Sequence, residues 1–213
     1  MLGVTLARVC TAVPPFVVLP ALVGGNVSLY TYVGLVPFVM RHTRVGTWLR
    51  LPYFGTFAET NVRLYSVDDA GRHGVLFRSL ETQRLAVVPV TRAVLGVPYT
   101  WAKMRVTRSP DGISYVSARR WPHAGLRSRV AVTVGAAVDP TPLEVWLTAR
   151  WGAHTRVVGR TWWMPNEHPT WTLHAAEIVE LEDELVAAAG VTPAGPRLRA
   201  LFSPGVPARF GKP

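Results

Sequence analysis

The sequence is poor in cysteine, lysine and acidic residues. Cys10 is the one cysteine among 213 residues, so no disulfide can form within the chain, and we predict a reducing, cytoplasmic setting. Of the 23 basic residues all but Lys103 and Lys212 are arginine, and with 13 acidic residues they give a net charge of +10. The sequence has no phosphate-binding loop, dinucleotide fingerprint, serine elbow or cysteine pair, so none of the functions that those motifs mark is indicated.

A stretch without charged residues runs from Val9 to Met40 and is long enough to span a bilayer. Its four prolines would interrupt a helix, and Gly24-Gly25-Asn26 is typical of a turn. From Val27 to Leu35 apolar residues alternate as they do in a strand. We therefore predict no membrane span. A signal peptide is not expected either, because Arg8 lies late and the prolines break the apolar region.

The composition favours one globular domain, residues 1–213, of the mostly β class (a β-rich α+β fold). Hydrophobic residues make up 49% and charged residues 17%, which excludes disorder as the main state. With 18 glycines and 18 prolines, many short elements joined by turns are expected. Strand patterns are found at Val27–Met40, Thr60–Val67, Gly74–Leu80, Trp101–Arg108, Ile113–Arg120, Arg127–Ala137, His154–Trp163 and Trp171–Glu180.

Two or three short helices are predicted between these strands. The first runs from Thr82 to Leu95, with a kink or break at Pro89. The second begins at Thr141-Pro142-Leu143-Glu144, where Glu144 completes a capping box, and extends to about Trp151. Arg150 would then lie in its last turn, where the helix dipole favours a cation. A third covers Glu182–Ala189 and ends before a glycine.

Several segments, in order and spacing, resemble the YqjF-like family of unknown function, which belongs to the acetoacetate decarboxylase-like superfamily. The resemblance covers about residues 13–206. The segments that carry it are Tyr32–Phe38, Glu59–Tyr65, Gly74–Leu80, Val97–Met104, Leu143–Trp151, His168–Trp171 and Phe202–Val206. It implies a barrel-like antiparallel sheet that encloses a pocket.

The same resemblance implies a change in chemistry. Acetoacetate decarboxylase forms a Schiff base through a lysine that follows a proline and precedes a second lysine. Here the matching stretch is Pro98-Tyr99-Thr100, so Tyr99 stands at the position of the nucleophile. Lys103 is near, but no second lysine is available to lower its pKa. Decarboxylation through a Schiff base is therefore not expected, and no cofactor or metal is implied.

The resemblance also places an acid in the pocket. Phe57-Ala58-Glu59 is similar to the context of the decarboxylase's pocket glutamate. Glu59, Asn61, Arg63 and Tyr65 alternate along one strand, so their side chains share a face. In a functional interpretation Glu59 is a general acid or base, Arg63 holds a carboxylate, and Asn61 and Tyr65 orient it. In the alternative, Glu59 and Arg63 form a buried network that stabilises the fold.

Three residues near the implied nucleophile position complete the candidate site. Tyr99 and Lys103 are catalytic candidates, since Tyr99 can donate a hydrogen bond or a proton. Trp101 is a candidate for contact with the substrate. The alternative is that Tyr99 packs beside Trp101 and has no role in chemistry.

Three functions are compatible with these patterns. The first is a small-molecule enzyme, a lyase or hydrolase acting on a small organic or keto acid. The second is a non-catalytic protein that binds such a molecule. The third is a nucleic-acid binder, which is disfavoured because the arginines are scattered rather than clustered; the hairpin residues that would serve it are Arg105, Arg108, Arg119, Arg120 and Arg127. A homo-oligomer is left open.

Overall fold

The computed structural model describes residues 17–22, 30–41, 44–45, 49–50, 55–68, 70–193 and 199–210. Strands dominate this part of the chain: β1 (Val17–Leu22), β2 (Tyr30–Arg41), β3 (Arg44–Val45), β4 (Leu49–Arg50), β5 (Thr56–Val67), β6 (His73–Thr82), β7 (Tyr99–Ser109), β8 (Gly112–Trp121), β9 (Arg127–Ala137), β10 (Gly152–Val157), β11 (Arg160–Glu167), β12 (His174–Asp183), β13 (Ala200–Phe202) and β14 (Arg209–Phe210). Its helices are short: α1 (Val87–Leu95), α2 (Pro142–Thr148) and α3 (Leu185–Ala188). The predicted mostly β class is confirmed.

One large sheet runs in the order β1-β2-β5-β6-β7-β8-β9-β12-β13. Neighbours on this path are antiparallel except β6 and β7, which are parallel and are connected through α1. β10 adds to β6 in parallel and leads to β11 and β14. Within the described residues the two ends of the path do not pair, so the sheet is open and the predicted barrel is barrel-like only in a loose sense. No helix in these described ranges is long and apolar enough to cross a membrane.

Most predicted elements are found, with two informative differences. The predicted strand His154–Trp163 is two strands, β10 and β11, joined by a turn at Val158 and Gly159 with φ of 48° and 77°. Such a turn needs positive φ at both positions, and valine gives no signal for it. The predicted helix from Thr82 begins only at Val87, because β6 extends through Thr82. Pro89 lies in the first turn of α1, where its missing N–H removes no helical hydrogen bond.

The predicted capping box of α2 is present. Thr141 Oγ1 accepts from the Glu144 N–H at 3.3 Å, and Glu144 Oε2 accepts from the Thr141 N–H at 2.7 Å. Arg199 Nη2 also donates to Glu144 Oε2 at 2.7 Å, and this guanidinium lowers the pKa of Glu144 to about 2. The helix ends at Thr148, so the expectation that Arg150 lies in its last turn is wrong. Arg150 is two residues beyond the helix and is buried.

A buried ion pair lies on the face of the sheet opposite to Glu59. Glu81 is the register partner of Thr60, whereas Glu59 is opposite Thr82, so strand alternation places the two glutamates on different faces. Arg119 Nε donates to Glu81 Oε1 at 2.9 Å, and Arg119 also donates to Ser79 Oγ at 2.8 Å. Both charged side chains are at least 93% buried, since Glu81 is 0% and Arg119 7% exposed. Arg119 is therefore not available to a nucleic acid at the hairpin surface.

We predict that Arg119→Met lowers the free energy of unfolding by about 3–5 kcal/mol, because it leaves the Glu81 carboxylate buried without its cation. The double variant Glu81→Leu/Arg119→Met should recover most of this loss, since no buried charge remains. Urea unfolding of the three proteins measures the effect. The control is Arg129→Met, which breaks the exposed Arg129–Glu180 contact of 3.4 Å and should cost less than about 1 kcal/mol. Equal losses in the two single variants would contradict the prediction.

Candidate functional site

Four buried polar side chains, Glu59, Asn61, Arg63 and Tyr65, line one face of β5, and we call this set the Glu59 face. None is more than 7% exposed. The strand lies between β2 and β6 in the middle of the sheet, which accounts for the burial. Its alternation puts the four side chains on the same face, as the sequence predicts. Gly34 of β2 is opposite Arg63, and a Cβ there would lie 3.0 Å from Tyr65 Oη, so this glycine makes room for the polar side chains.

The Glu59 carboxyl is 1% exposed and accepts a hydrogen bond from Tyr99 Oη at 2.9 Å. Burial raises its pKa to about 8, and the Tyr99 hydrogen bond opposes this only in part. Burial, followed by the neighbouring Glu59, raises the pKa of Tyr99 well above its usual value. At neutral pH Glu59 is therefore mostly a neutral acid that lies close to its own pKa. A group in this condition can donate or accept a proton without a large energetic penalty.

The other end of the Glu59 face is cationic and aromatic. Arg63 Nε donates to Tyr65 Oη at 3.3 Å, and its Nη2 donates to the Leu147 carbonyl of α2 at 3.5 Å. The guanidinium also lies 5.8 Å from the centre of the Trp171 ring. Trp146 of α2 packs on Tyr65 at 5.5 Å between ring centroids. This end of the face is thus a cation enclosed by aromatic walls.

Arg150 joins this end, and sequence reasoning missed it. Its guanidinium stacks on the Trp146 ring at 3.7 Å and lies 5.5 Å from the Tyr65 ring. The Arg63 guanidinium is at a similar distance, 5.4 Å, from the same Tyr65 ring. The signal in the sequence is the four-residue spacing of Trp146 and Arg150, which is equally typical of a helix end with a basic residue in its last turn.

Of the other predicted residues, some lie in the buried cluster and others lie outside it. The structure brings Tyr99 to Glu59, and Asn61 lies between Glu59 and Arg63 on the face. No described residue hydrogen-bonds to Asn61 Oδ1, although the side chain is 4% exposed. Trp101 is half-buried under Arg120, whose guanidinium is 5.0 Å from its ring. Lys103 is exposed on β7 and is not part of the buried cluster.

A separate Ser–His–Asp cluster lies near the end of β5. Ser66 Oγ is 2.7 Å from His154 Nδ1, and His154 Nε2 is 3.3 Å from Asp68 Oδ2. Asp68 also accepts from the Arg72 side chain at 2.7 Å and from the Ala70 N–H at 3.1 Å. These contacts fasten the β5–β6 turn to β10. Among the residues that the structure describes, no group of three or more His, Cys, Asp and Glu side chains could hold a metal ion.

Comparison with known protein sequences identifies a family and a relative of this chain. The sequence pattern of the DUF2071 family, described as an uncharacterized conserved protein, matches residues 4–207. The uncharacterized protein YqjF of Bacillus subtilis (strain 168) is 28% identical over 185 residues, which cover 82% of this chain and 75% of that protein. The family resemblance predicted from the sequence is confirmed.

Two solved structures show the fold. An acetoacetate decarboxylase from Legionella pneumophila superposes with a TM-score of 0.61 at 12% identity, covering 100% of this chain and 85% of that one. The enduracididine biosynthesis enzyme MppR, complexed with pyruvate, superposes with a TM-score of 0.50 at 12% identity, covering 91% of this chain and 76% of that one. At these identities the likeness concerns the fold alone, and it confirms the predicted acetoacetate decarboxylase-like architecture.

The raised pKa of Glu59 predicts how stability changes with pH. In the unfolded chain Glu59 loses its proton above its ordinary pKa of 4.5, whereas the folded protein keeps the proton up to about pH 8. Between these values the unfolded state binds fewer protons, so Glu59 lowers the free energy of unfolding by on the order of 1.4 kcal/mol per pH unit as pH rises. Above about pH 8 this effect levels off.

Urea unfolding of wild type and Glu59→Gln between pH 4 and pH 9 measures this dependence. The variant should become progressively more stable relative to wild type from about pH 4.5 to 8, and the difference should then be constant. Parallel profiles across this range would show that Glu59 ionises normally in the folded protein.

Proposed function

This chain belongs to the DUF2071 family of uncharacterized conserved proteins, and we propose that it is an enzyme acting on a small organic or keto acid at the Glu59 face. The observation that carries the proposal is the buried Glu59 carboxyl, with its pKa raised to about 8, on the same strand face as a buried arginine. A carboxyl with a pKa near the working pH is suited to proton transfer. A buried arginine is suited to an anionic ligand.

In the proposed reaction Glu59 transfers the proton and Tyr99 positions it. Tyr99 Oη donates to Glu59 Oε1, so the second oxygen, Oε2, carries the exchangeable proton when Glu59 is neutral. The protonated carboxyl donates its proton to a carbonyl or leaving oxygen as a general acid. The carboxylate that remains is reprotonated from the attacking water in a hydrolysis, or from a C–H or O–H group of the substrate in a lyase reaction. Because the pKa of Tyr99 is raised, Tyr99 stays protonated and acts as a hydrogen-bond donor throughout.

The ligand is held at the other end of the face. Arg63 anchors the carboxylate of the acid, and Asn61 and Tyr65 orient it from the same strand. Strand geometry separates Glu59 and Arg63 by roughly 13 Å between Cα atoms. Arg63 donates to Tyr65 Oη and to the Leu147 carbonyl, which hold its guanidinium toward the end of the face away from Glu59. This spacing is compatible with a ligand that lies along the face between Arg63 and Glu59.

The reaction class is a lyase or hydrolase that forms no Schiff base. Tyr99 replaces the lysine that the family resemblance would place there, and Lys103 is exposed on the same strand. The solved relatives include an acetoacetate decarboxylase and an enzyme complexed with pyruvate, which supports a small keto acid as the kind of ligand. Trp101 is a candidate wall of the site.

The cytoplasmic setting and the preference for a small molecule over nucleic acid remain predictions.

A non-catalytic binding protein would use the same residues without turnover. Glu59→Gln separates the two cases, because the amide keeps the shape of the side chain but cannot transfer a proton. An enzyme should lose about 10²- to 10⁴-fold in kcat while the affinity for its ligand stays similar. A binder has no turnover to lose.

We predict that a small carboxylic or keto acid stabilises the wild-type protein and that Arg63→Ala abolishes this stabilisation. A ligand at 100 times its Kd adds about 2.7 kcal/mol, which in a chain of this length corresponds to a rise in Tm of about 5–10 °C. A thermal-shift screen with keto acids, simple carboxylic acids and lactones measures it. Arg129→Met, which removes one surface charge, serves as the control and should respond like wild type. If Arg63→Ala keeps the full response, Arg63 is not the anchor.

A further inference from the structure

Arg150 is a buried cation with two hydrogen-bond donors that no described residue satisfies. The side chain is 4% exposed, and neither Nε nor Nη2 has a hydrogen-bond acceptor among the described residues. A buried unpaired charge is costly in free energy, so proteins normally pair it with an acid or with a ligand.

The acidic residues in the described part of the chain do not supply that partner. Of the 13 in the sequence, all but Asp69 lie in the described part of the chain. Among them, Glu81 pairs with Arg119, Glu144 with Arg199, and Asp68 with Arg72. Burial is the main cause that lowers the pKa of Arg150 to about 10. Tyr65 opposes this shift, and the neighbouring cation Arg63 adds to it. Arg150 therefore remains positive at neutral pH.

The two unsatisfied donors of Arg150, Nε and Nη2, lie on one edge of the guanidinium. Nε–H and Nη2 lie side by side and point in the same direction, which is the fork that holds both oxygens of a carboxylate. Two other arginines of this protein use that same edge for a carboxylate. Arg199 donates from Nε and Nη2 to the two oxygens of Glu144, and Arg119 donates from Nε and Nη2 to Glu81.

The Arg150 fork is also held in place. Its backbone N–H donates to the Thr148 carbonyl at 3.0 Å, and its own carbonyl lies 3.0 Å from His168 Nε2. The Trp146 ring stacks on the guanidinium at 3.7 Å and fixes its plane. Little side-chain entropy remains to be lost when a ligand binds, which favours tight binding of a small molecule.

We propose that Arg150 binds the carboxylate of a small organic acid through its Nε and Nη2 edge, beside Arg63, at the aromatic end of the Glu59 face. This inference rests on the proposed function and specifies its ligand as a monocarboxylate. Aromatic walls and near-complete burial suit a singly charged carboxylate better than a phosphate dianion, because a second charge would have to be desolvated as well.

The test compares wild type, Arg150→Met, Arg150→Lys and the surface control Arg129→Met by thermal shift and calorimetry, with acetate, pyruvate and inorganic phosphate as probes. Without a probe Arg150→Met should be as stable as wild type or more stable, because the change removes a buried unpaired charge. Its affinity for acetate and pyruvate should fall about 10- to 100-fold. Arg150→Lys should also bind more weakly, since an ammonium cannot form the two parallel bonds. Arg129→Met should bind like wild type.

The outcomes separate this inference from the proposed function. Carboxylate binding within twofold of wild type in Arg150→Met, together with loss of turnover in Glu59→Gln, would overturn the inference and leave the proposed function standing. Loss of binding in Arg150→Met with no effect of Glu59→Gln on turnover supports a carboxylate site and contradicts the catalytic role of Glu59. If Arg150→Met fails to fold, Arg150→Lys decides, and unchanged affinity in that folded variant would contradict the bidentate contact. Tighter binding of phosphate than of acetate would contradict the monocarboxylate class.

Discussion

The burial of both faces of β5 is the constraint on which the candidate site depends. Nine of its positions in a row, from Phe57 to Tyr65, are buried. One face carries the apolar residues Val62 and Leu64, as expected of a central strand. The other carries Glu59, Asn61, Arg63 and Tyr65 in the same interior. Their desolvation raises the pKa of Glu59 and makes each unpaired donor or acceptor on this face costly.

Strand alternation and turn chemistry allowed most of the fold to be predicted. The Glu59 face follows from the period of two in one strand, and the β7–β8 hairpin follows from the turn residues between Ser109 and Gly112. The break between β10 and β11 could not be predicted, because Val158 takes a positive φ that valine rarely adopts. The antiparallel pairing of β10 with β11, in which Val157 is opposite Arg160, imposes this two-residue turn.

The residues of the candidate site were predicted only where the local periodicity of a strand determines the direction of the side chain. Residues on β5 were found because local periodicity determines where they point. Arg150 was not found, because it follows the end of α2 in irregular backbone, and no period relates it to the sheet. Its place beside Arg63 and Tyr65 results from how α2 packs on the sheet, which is a long-range property. The hydrogen bond between Tyr99 and Glu59 likewise joins residues 40 positions apart on strands that are not neighbours.

The charges of the site determine whether Glu59 is protonated when a ligand binds. With Glu59 neutral, Arg63 and Arg150 leave this end of the interior positive, so a carboxylate is the ligand that lowers its electrostatic energy. Once bound, the carboxylate partly cancels the two guanidinium charges and adds a negative charge on the same face as Glu59. That charge disfavours ionisation of Glu59, so the bound state holds the carboxyl protonated more firmly than the free protein does. By linkage the same coupling makes protonated Glu59 favour carboxylate binding, since each equilibrium shifts the other by an equal factor. In the proposed function, a ligand that brings its own negative charge therefore meets Glu59 as an acid, and the first proton transfer runs from Glu59 to the ligand.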